Sequence, residues 1–158
     1  MKQLFVLSLI LFIIITACST LTLQPANFAW PLESVLAVND EGNVSEDRYS
    51  TEFNTRAMFF EEFQDSLAYV DKEIHVIRDN QGFYFITGPD FKNVYVFKDV
   101  EGKMVLNNKI FISEFGLQIP AFNQREPYIE LVDGNYKMNL TSEGIVEDFD
   151  SRREGGTK

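Results

Sequence analysis

The chain has 158 residues, of which 14 are Lys or Arg and 24 are Asp or Glu, for a formal net charge of −10. So acidic a balance excludes a nucleic-acid surface, which needs clustered cations to meet phosphate. A single cysteine and a single histidine exclude a disulfide framework and a Cys/His zinc site.

The first segment is a leader. Lys2 precedes an apolar run, Leu4 to Ile15, broken only by Ser8. That run is well short of the roughly 20 apolar residues a spanning helix requires. A basic start, a short apolar stretch and small residues at its end are the marks of a secretory signal peptide, expected over residues 1–17. Ile15-Thr16-Ala17-Cys18 then resembles the lipobox of bacterial lipoprotein precursors: an aliphatic residue, two small residues and an obligatory cysteine. The resemblance implies cleavage after Ala17 and a diacylglyceryl group on the Cys18 sulfur, so that the membrane is contacted through acylated Cys18. An ordinary signal peptide would leave Cys18 as an orphan thiol, which lipidation explains. Two acyl chains hold a protein stably where one holds it marginally. Loss of Lys2 with the leader makes the remainder more negative still, so anionic head groups repel it and acyl chains must do the holding. Ser19 follows the cysteine where an aspartate would retain an enterobacterial lipoprotein at the inner membrane. By that resemblance the expected location is the outer membrane, facing the periplasm.

Residues 18–27, CSTLTLQPAN, read as a lipidated tether. Ten residues reach at most about 33–36 Å when extended, and about 16–19 Å as a flexible coil. A single β domain is expected over 28–147, followed by a charged, glycine-ended, disordered tail over 148–158.

One turn signal recurs through the domain, in Asn39-Asp40-Glu41-Gly42, Asp79-Asn80-Gln81-Gly82, Asp99-Val100-Glu101-Gly102, Ser113-Glu114-Phe115-Gly116 and Thr141-Ser142-Glu143-Gly144. Each begins with a short side-chain acceptor and ends in glycine, as in a type I turn closed by a left-handed glycine at a hairpin bulge. Asp133-Gly134 adds a tighter turn. The runs between them are rich in β-branched and aromatic residues. Strands are expected at Ser34–Val38, Arg48–Phe59, Glu73–Arg78, Phe83–Thr87, Val94–Lys98, Lys103–Leu106, Lys109–Ile112, Tyr128–Val132, Tyr136–Leu140 and Ile145–Val146. Over Arg48–Phe59, Tyr49, Thr51, Phe53, Ala57 and Phe59 fall on one face. At most one short helix is expected, near 58–66, and Pro120–Pro127 reads as the longest loop. Sequential short strands with tight turns make this an all-β chain, an antiparallel meander forming a β-sandwich or a partly open barrel.

Chemistry is sparse. His75 lacks a partner imidazole or thiol and reads as a strand residue at the sheet surface or half-buried. The many carboxylates single out no hydrolytic pair. Neither Asn39–Gly42 nor Glu147–Asp150 has the ligand spacing of a calcium loop. No phosphate-binding, dinucleotide or nucleophile-elbow motif is present, so no catalytic residue, cofactor or metal is expected. With 15 Phe, 6 Tyr and one Trp, the aromatics are the remaining lead. They read first as core, with Trp30 packing near the tether. In a sharper reading Tyr84, Tyr95 and Phe97 border a cleft for a hydrophobic, glycan or peptide ligand. The expectation is a non-enzymatic envelope lipoprotein that binds a protein partner near the lipid surface. The alternatives are a carrier of a small lipid or glycan ligand and, behind it, a carboxylate hydrolase.

Overall fold

The computed structural model describes residues 28–146. The lipobox Ile15–Cys18, the tether and the tail lie outside the described residues. Within them the chain runs β1 (Ser34–Ala37), β2 (Asn43–Glu46), β3 (Thr51–Asn54), α1 (Arg56–Phe63), β4 (Glu73–Arg78), β5 (Phe83–Thr87), β6 (Asn93–Val100), β7 (Lys103–Phe111), β8 (Pro120–Arg125), β9 (Tyr128–Asp133), β10 (Tyr136–Thr141) and β11 (Gly144–Val146).

These strands form three antiparallel sheets: β1-β4-β5-β6-β7, β11-β10-β9-β8 and the hairpin β2-β3. No sheet closes into a barrel, and the fold is sandwich-like and all-β with one short helix. The five-stranded sheet lies in the middle. On β4, Ile74, His75, Val76, Ile77 and Arg78 are all buried, so residues of both parities are covered. Only a sheet packed on both faces buries consecutive residues in this way.

Register assigns each residue to a layer. Val76 pairs with Ile86 and Ile86 with Tyr95, which places all three on the face that meets α1. There Phe59 of α1 meets Phe91 edge-on at 5.0 Å, and Phe91 meets Tyr95 at 6.2 Å. The alternate set, Ile77, Phe85 and Val96, faces the four-stranded sheet, whose β8 lies beside β4 and β11 beside β7. From that sheet Phe122, Ile129, Leu131 and Leu140 close the core. Each such side chain contributes on the order of 1.5–3 kcal/mol by leaving water.

The turn signal resolves into two geometries. At Asn39 and Asp79 the side-chain Oδ1 accepts the N–H of the residues two and four positions on, while Gly42 and Gly82 take φ of 77° and 88°. These are the expected bulged turns. Between β6 and β7, Val100 pairs with Lys103, and Glu101 and Gly102 both have positive φ, which makes a two-residue turn instead. Between β10 and β11, Thr141 pairs with Gly144, so that glycine opens a strand rather than closing a turn.

Four expectations are corrected. The long strand Arg48–Phe59 is confined to Thr51–Asn54, with Arg48, Tyr49 and Ser50 in the turn before it, and the Asn54 Oδ1 accepts the Arg56 N–H and turns the chain into α1. Arg, Ala, Met and Glu then favour the helix, which begins two residues before the expected 58–66. The alternation holds over Tyr49–Asn54 but fails at Ala57, which is exposed while Met58 is buried. Lys103–Leu106 and Lys109–Ile112 are one strand, not two. Val96 pairs with Asn108 and Phe97 with Leu106, leaving Asn107 as a bulge. Pro120–Pro127 is no loop. Residues Pro120–Arg125 form β8, with Phe122 turned into the core and Pro120 at the first position, where a missing N–H costs no ladder bond. Finally, β2 pairs with β3 although its short polar sequence, NVSE, carries little strand signal.

Gly102 and Gly116 give a matched test of close packing, with φ of 76° and 77°. A Cβ on Gly116 would lie 2.5 Å from the Asp90 carbonyl oxygen, whereas one on Gly102 meets nothing within 4 Å. Gly102→Ala is expected to cost about 1 kcal/mol for the left-handed backbone. Gly116→Ala is expected to cost about 2–4 kcal/mol, because backbone must move. Urea unfolding of the two variants checks the difference.

Candidate functional site

The predicted aromatic trio does not form one cleft. Tyr84 and Phe97 are cross-strand partners on β5 and β6, and Tyr95 shares their face. Tyr95, however, is only 1% exposed and its hydroxyl donates to Glu62 of α1 at 2.9 Å. Burial, reinforced by the Glu62 carboxylate, pushes the Tyr95 phenol well above its usual range. Tyr95 is therefore a core residue that fastens the helix. Glu62 also accepts the Lys92 N–H and the Asn93 side-chain amide. Phe97 lines one opening of about 380 Å³ with Phe53, Met58 and Met104, and Tyr84 lines another.

The opening at Tyr84 has about 430 Å³ and combines rings with cations. Three elements build it. The segment before β1 brings Phe28 and Trp30, fixed by the Trp30 N–H donating to the Arg78 carbonyl at 2.8 Å. The link between β2 and β3 brings Tyr49, whose ring stacks on Trp30 at 4.1 Å and 13°. The ends of β4, β5 and β6 bring Arg78, Tyr84 and Lys98. Trp30 is 1% exposed, so it packs as expected and presents no surface itself. Arg78 is 8% exposed. Its guanidinium lies over Phe28 at 5.0 Å and Tyr84 at 5.3 Å and donates to the Phe28 carbonyl. Lys98 extends over its cross-strand partner Phe83 at 4.6 Å, on the sheet face opposite Tyr84. A ring face attracts a cation and leaves its charge in place.

A third opening, about 420 Å³, is mainly apolar and lies at the other end of the sandwich. Ile112, Phe115, Leu117, Tyr136 and Met138 line it. Phe115 is 90% exposed, and Phe111, Ile119 and Tyr136 are exposed around it.

The remaining polar candidates hold structure together. His75 is 8% exposed, so it is buried, neither at the sheet surface nor half-buried as expected. Its Nδ1 lies 3.2 Å from Glu33 Oε2, and that same oxygen accepts the Phe122 N–H at 2.8 Å. One carboxylate thus joins β4 to β8 across the sandwich. Asn39 spends its side-chain oxygen on its own turn. Among the described residues no group of three or more His, Cys, Asp or Glu side chains is placed to hold a metal ion.

No family model, no curated protein and no solved structure matches this chain. The reading of its surfaces rests on their own chemistry. The Tyr84 opening is walled by rings and the Arg78 guanidinium, and the Phe115 opening can take an apolar side chain. Sequence reasoning found Tyr84 but missed Tyr49, Arg78 and Lys98. A signal for Arg78 and Lys98 exists, since both are cations placed where an apolar strand meets a turn. For Tyr49 the signal was the alternation of its strand, which spoke for burial only.

Near this opening Glu46 accepts hydrogen bonds from Arg48 Nε and Nη2, both at 3.0 Å, and Arg48 Nη2 reaches Ser34 Oγ at 2.6 Å. The bonds from Arg48 hold the Glu46 carboxyl down at about 2, from an ordinary 4.5. A folded-state value below the unfolded one adds stability above about pH 4.5, and that stability is lost as the pH falls toward about 2. Glu46→Gln is expected to lower stability at neutral pH, with the gap to the native chain narrowing across that acid window. Denaturant unfolding at a series of pH values measures it.

Proposed function

We propose that this chain is a lipid-anchored, non-enzymatic protein of the bacterial cell envelope that holds a protein partner close to the membrane, at the open edge of β7. The lipobox Ile15-Thr16-Ala17-Cys18 supports the anchor and, with Ser19 behind it, an outer-membrane site facing the periplasm. No helix among the described residues is long and apolar enough to cross a membrane. The short tether keeps the domain within about 35 Å of the lipid.

The observation that carries the partner reading is β7 itself. It is nine residues long, it ends the five-stranded sheet, and no described strand pairs with its outer side, although Asn107 and Asn108 reach the Ser142 carbonyl of the β10–β11 turn through their side chains. Such an edge offers a row of unpaired backbone donors and acceptors to an added strand. Val105, Leu106 and Phe111 are exposed along it, and its last residue leads to Ile112 in the wall of the Phe115 opening. The partner that fits is an extended segment with an apolar side chain at one end. Its charge is neutral or basic, to suit a chain of net charge −10. Lys103, Lys109 and the Asn107 bulge discourage β7 from pairing with copies of itself.

Two outcomes are expected. Radiolabelled palmitate incorporates into the native chain in a bacterial host and not into Cys18→Ala, which leaves the membrane fraction. An unlabelled native chain, with a free Cys18 thiol by intact mass, would remove the anchor. A photo-crosslinking side chain at Asn107 is expected to capture one protein in membranes, while the same group at Glu41 does not. The purified partner should then protect the β7 amides from hydrogen exchange. Leu106→Lys and Phe115→Ser should each weaken capture about tenfold, the scale of one interface anchor. As surface changes, they should leave stability within about 0.5 kcal/mol. Capture at both positions alike, or β7 amides that exchange unchanged, would count against the edge.

A further inference from the structure

We propose that the opening at Phe97 binds the acyl chain of a free single-chain lipid, such as a fatty acid. Its volume of about 380 Å³ falls in the range of small-ligand sites. Three elements wall it. Register places Ile86 of β5, Phe97 of β6 and Met104 of β7 on the α1 face of the central sheet. Phe53 of β3 and Met58 of α1 complete the lining.

That lining sets the ligand class. Phe53, Phe97 and Met104 are half-buried while Met58 and Ile86 are buried, so the opening deepens from a rim to an apolar floor. Glu52 and Lys103 are the charged residues on its border. Successive side chains of a strand point to opposite faces. Glu52 alternates with Phe53 and Lys103 with Met104, so both charges turn away from the interior. The Asn54 amide is spent on the Glu41 carbonyl, the Asn43 side chain and the Arg56 N–H. A ligand therefore meets no free polar side chain inside, and a polar group buried there would lose its water without replacement. The polar end has to stay at the rim. This is how an amphiphile is held by its chain. Met58 and Met104 favour a flexible chain over a rigid ring, since unbranched thioethers repack around an irregular path.

The opening also lies where a lipid is at hand. The tether ends at Phe28, in the Tyr84 opening, and Tyr84 is the cross-strand partner of Phe97. The two openings are thus one strand spacing apart, about 5 Å. The Phe115 opening is apolar too, but it lies at the far end of the sandwich. Supply from the bilayer rests on the anchor proposed above; the site itself does not.

Methionine methyl groups read the site directly, because Met58 and Met104 line this opening and Met138 lines the one at Phe115. The Cys18→Ala chain, labelled with carbon-13 at the methionine methyls, is titrated with decanoate below its micelle concentration. Decanoate is expected to shift Met58 and Met104 and to leave Met138 in place. Hexanoate, four methylenes shorter, should bind at least about tenfold more weakly, since each buried methylene is worth about fourfold. Ala57→Trp, at an exposed helix position on the rim, should fill the mouth and abolish the shifts. Met104→Glu, which sets a charge inside, should abolish them from the strand side should the first substitution disturb α1. In lipid nanodiscs the native chain should show the unshifted methyl positions until decanoate is added. Bound positions there beforehand, and not in Cys18→Ala with the same nanodiscs, would make the chain's own anchor the occupant and overturn the free-lipid reading. Equally fatal would be no binding of decanoate, shifts at Met138 in place of the other two, hexanoate binding as well as decanoate, or binding that survives both blocking substitutions. Failed palmitate labelling would remove the anchor and leave this titration standing, and a failed titration would leave the labelling standing.

Discussion

The structure depends on covering one sheet twice. The sequences of β4 and β5, EIHVIR and FYFIT, place buried side chains on both faces. That demand explains the rest of the chain. One face needs the helix, the β2-β3 hairpin and Trp30, and the other needs β8 to β11. Fully buried Ile74, Val76, Ile77, Phe85 and Ile86 leave the middle filled. A ligand cannot be carried inside such a layer, so binding has to happen where coverage ends. The three openings lie at those margins, and the longest edge with no described strand partner belongs to β7.

A sheet buried on both sides must satisfy every polar atom it carries, because an unpaired one costs about 1–3 kcal/mol. Those pairings double as joints between layers. Glu33 meets His75 of β4 and the Phe122 N–H of β8, and Gln124 of β8 donates to the Arg78 carbonyl at 2.7 Å. On the opposite face, Glu62 fastens α1 to Tyr95 and Asn93. Glu46 and Arg48 tie the end of β2 to Ser34 of β1. The joints are acidic, so part of the acid content that looked like a solvated surface is internal fastening.

How much of this the sequence disclosed follows from range. Local chemistry was legible. The bounds of β4 and β5 are those expected, and the Asn39 and Asp79 turns form through the predicted side-chain acceptor and glycine. Errors arose where a distant partner decides. Asn107-Asn108 looks like a break until β6 is placed beside it, when it becomes a bulge in one long strand. PAFNQR looks like a loop until β9 pairs with it and the interior takes up Phe122. For Arg48–Phe59 the alternation was real as far as Asn54, and one side-chain oxygen then redirected the chain. The candidate site failed for the same reason. Strand parity set Tyr84 apart from Phe83 and Phe85 and aligned Tyr95 with Phe97; register puts the three on one face, but which of them reach the surface depends on α1, whose position is a tertiary fact.

In so acidic a chain the cations are held in two ways. Several cations are spent on carboxylates: Arg48 on Glu46, Lys72 on Asp90, Lys109 on Glu61 and Arg125 on Glu130. A carboxylate in contact with a cation cancels most of its field within several ångströms, short of the roughly 8–10 Å at which salt screens any charge. A ring holds a cation in place and cancels none of that field. Lys98 lies against Phe83, and Arg78 against Phe28 and Tyr84. A ring therefore holds the exposed Lys98 ammonium at the sheet margin without neutralising it. The aromatic content does two jobs on this account: it fills the middle of the sandwich, and at the margin Phe83 carries an exposed ammonium.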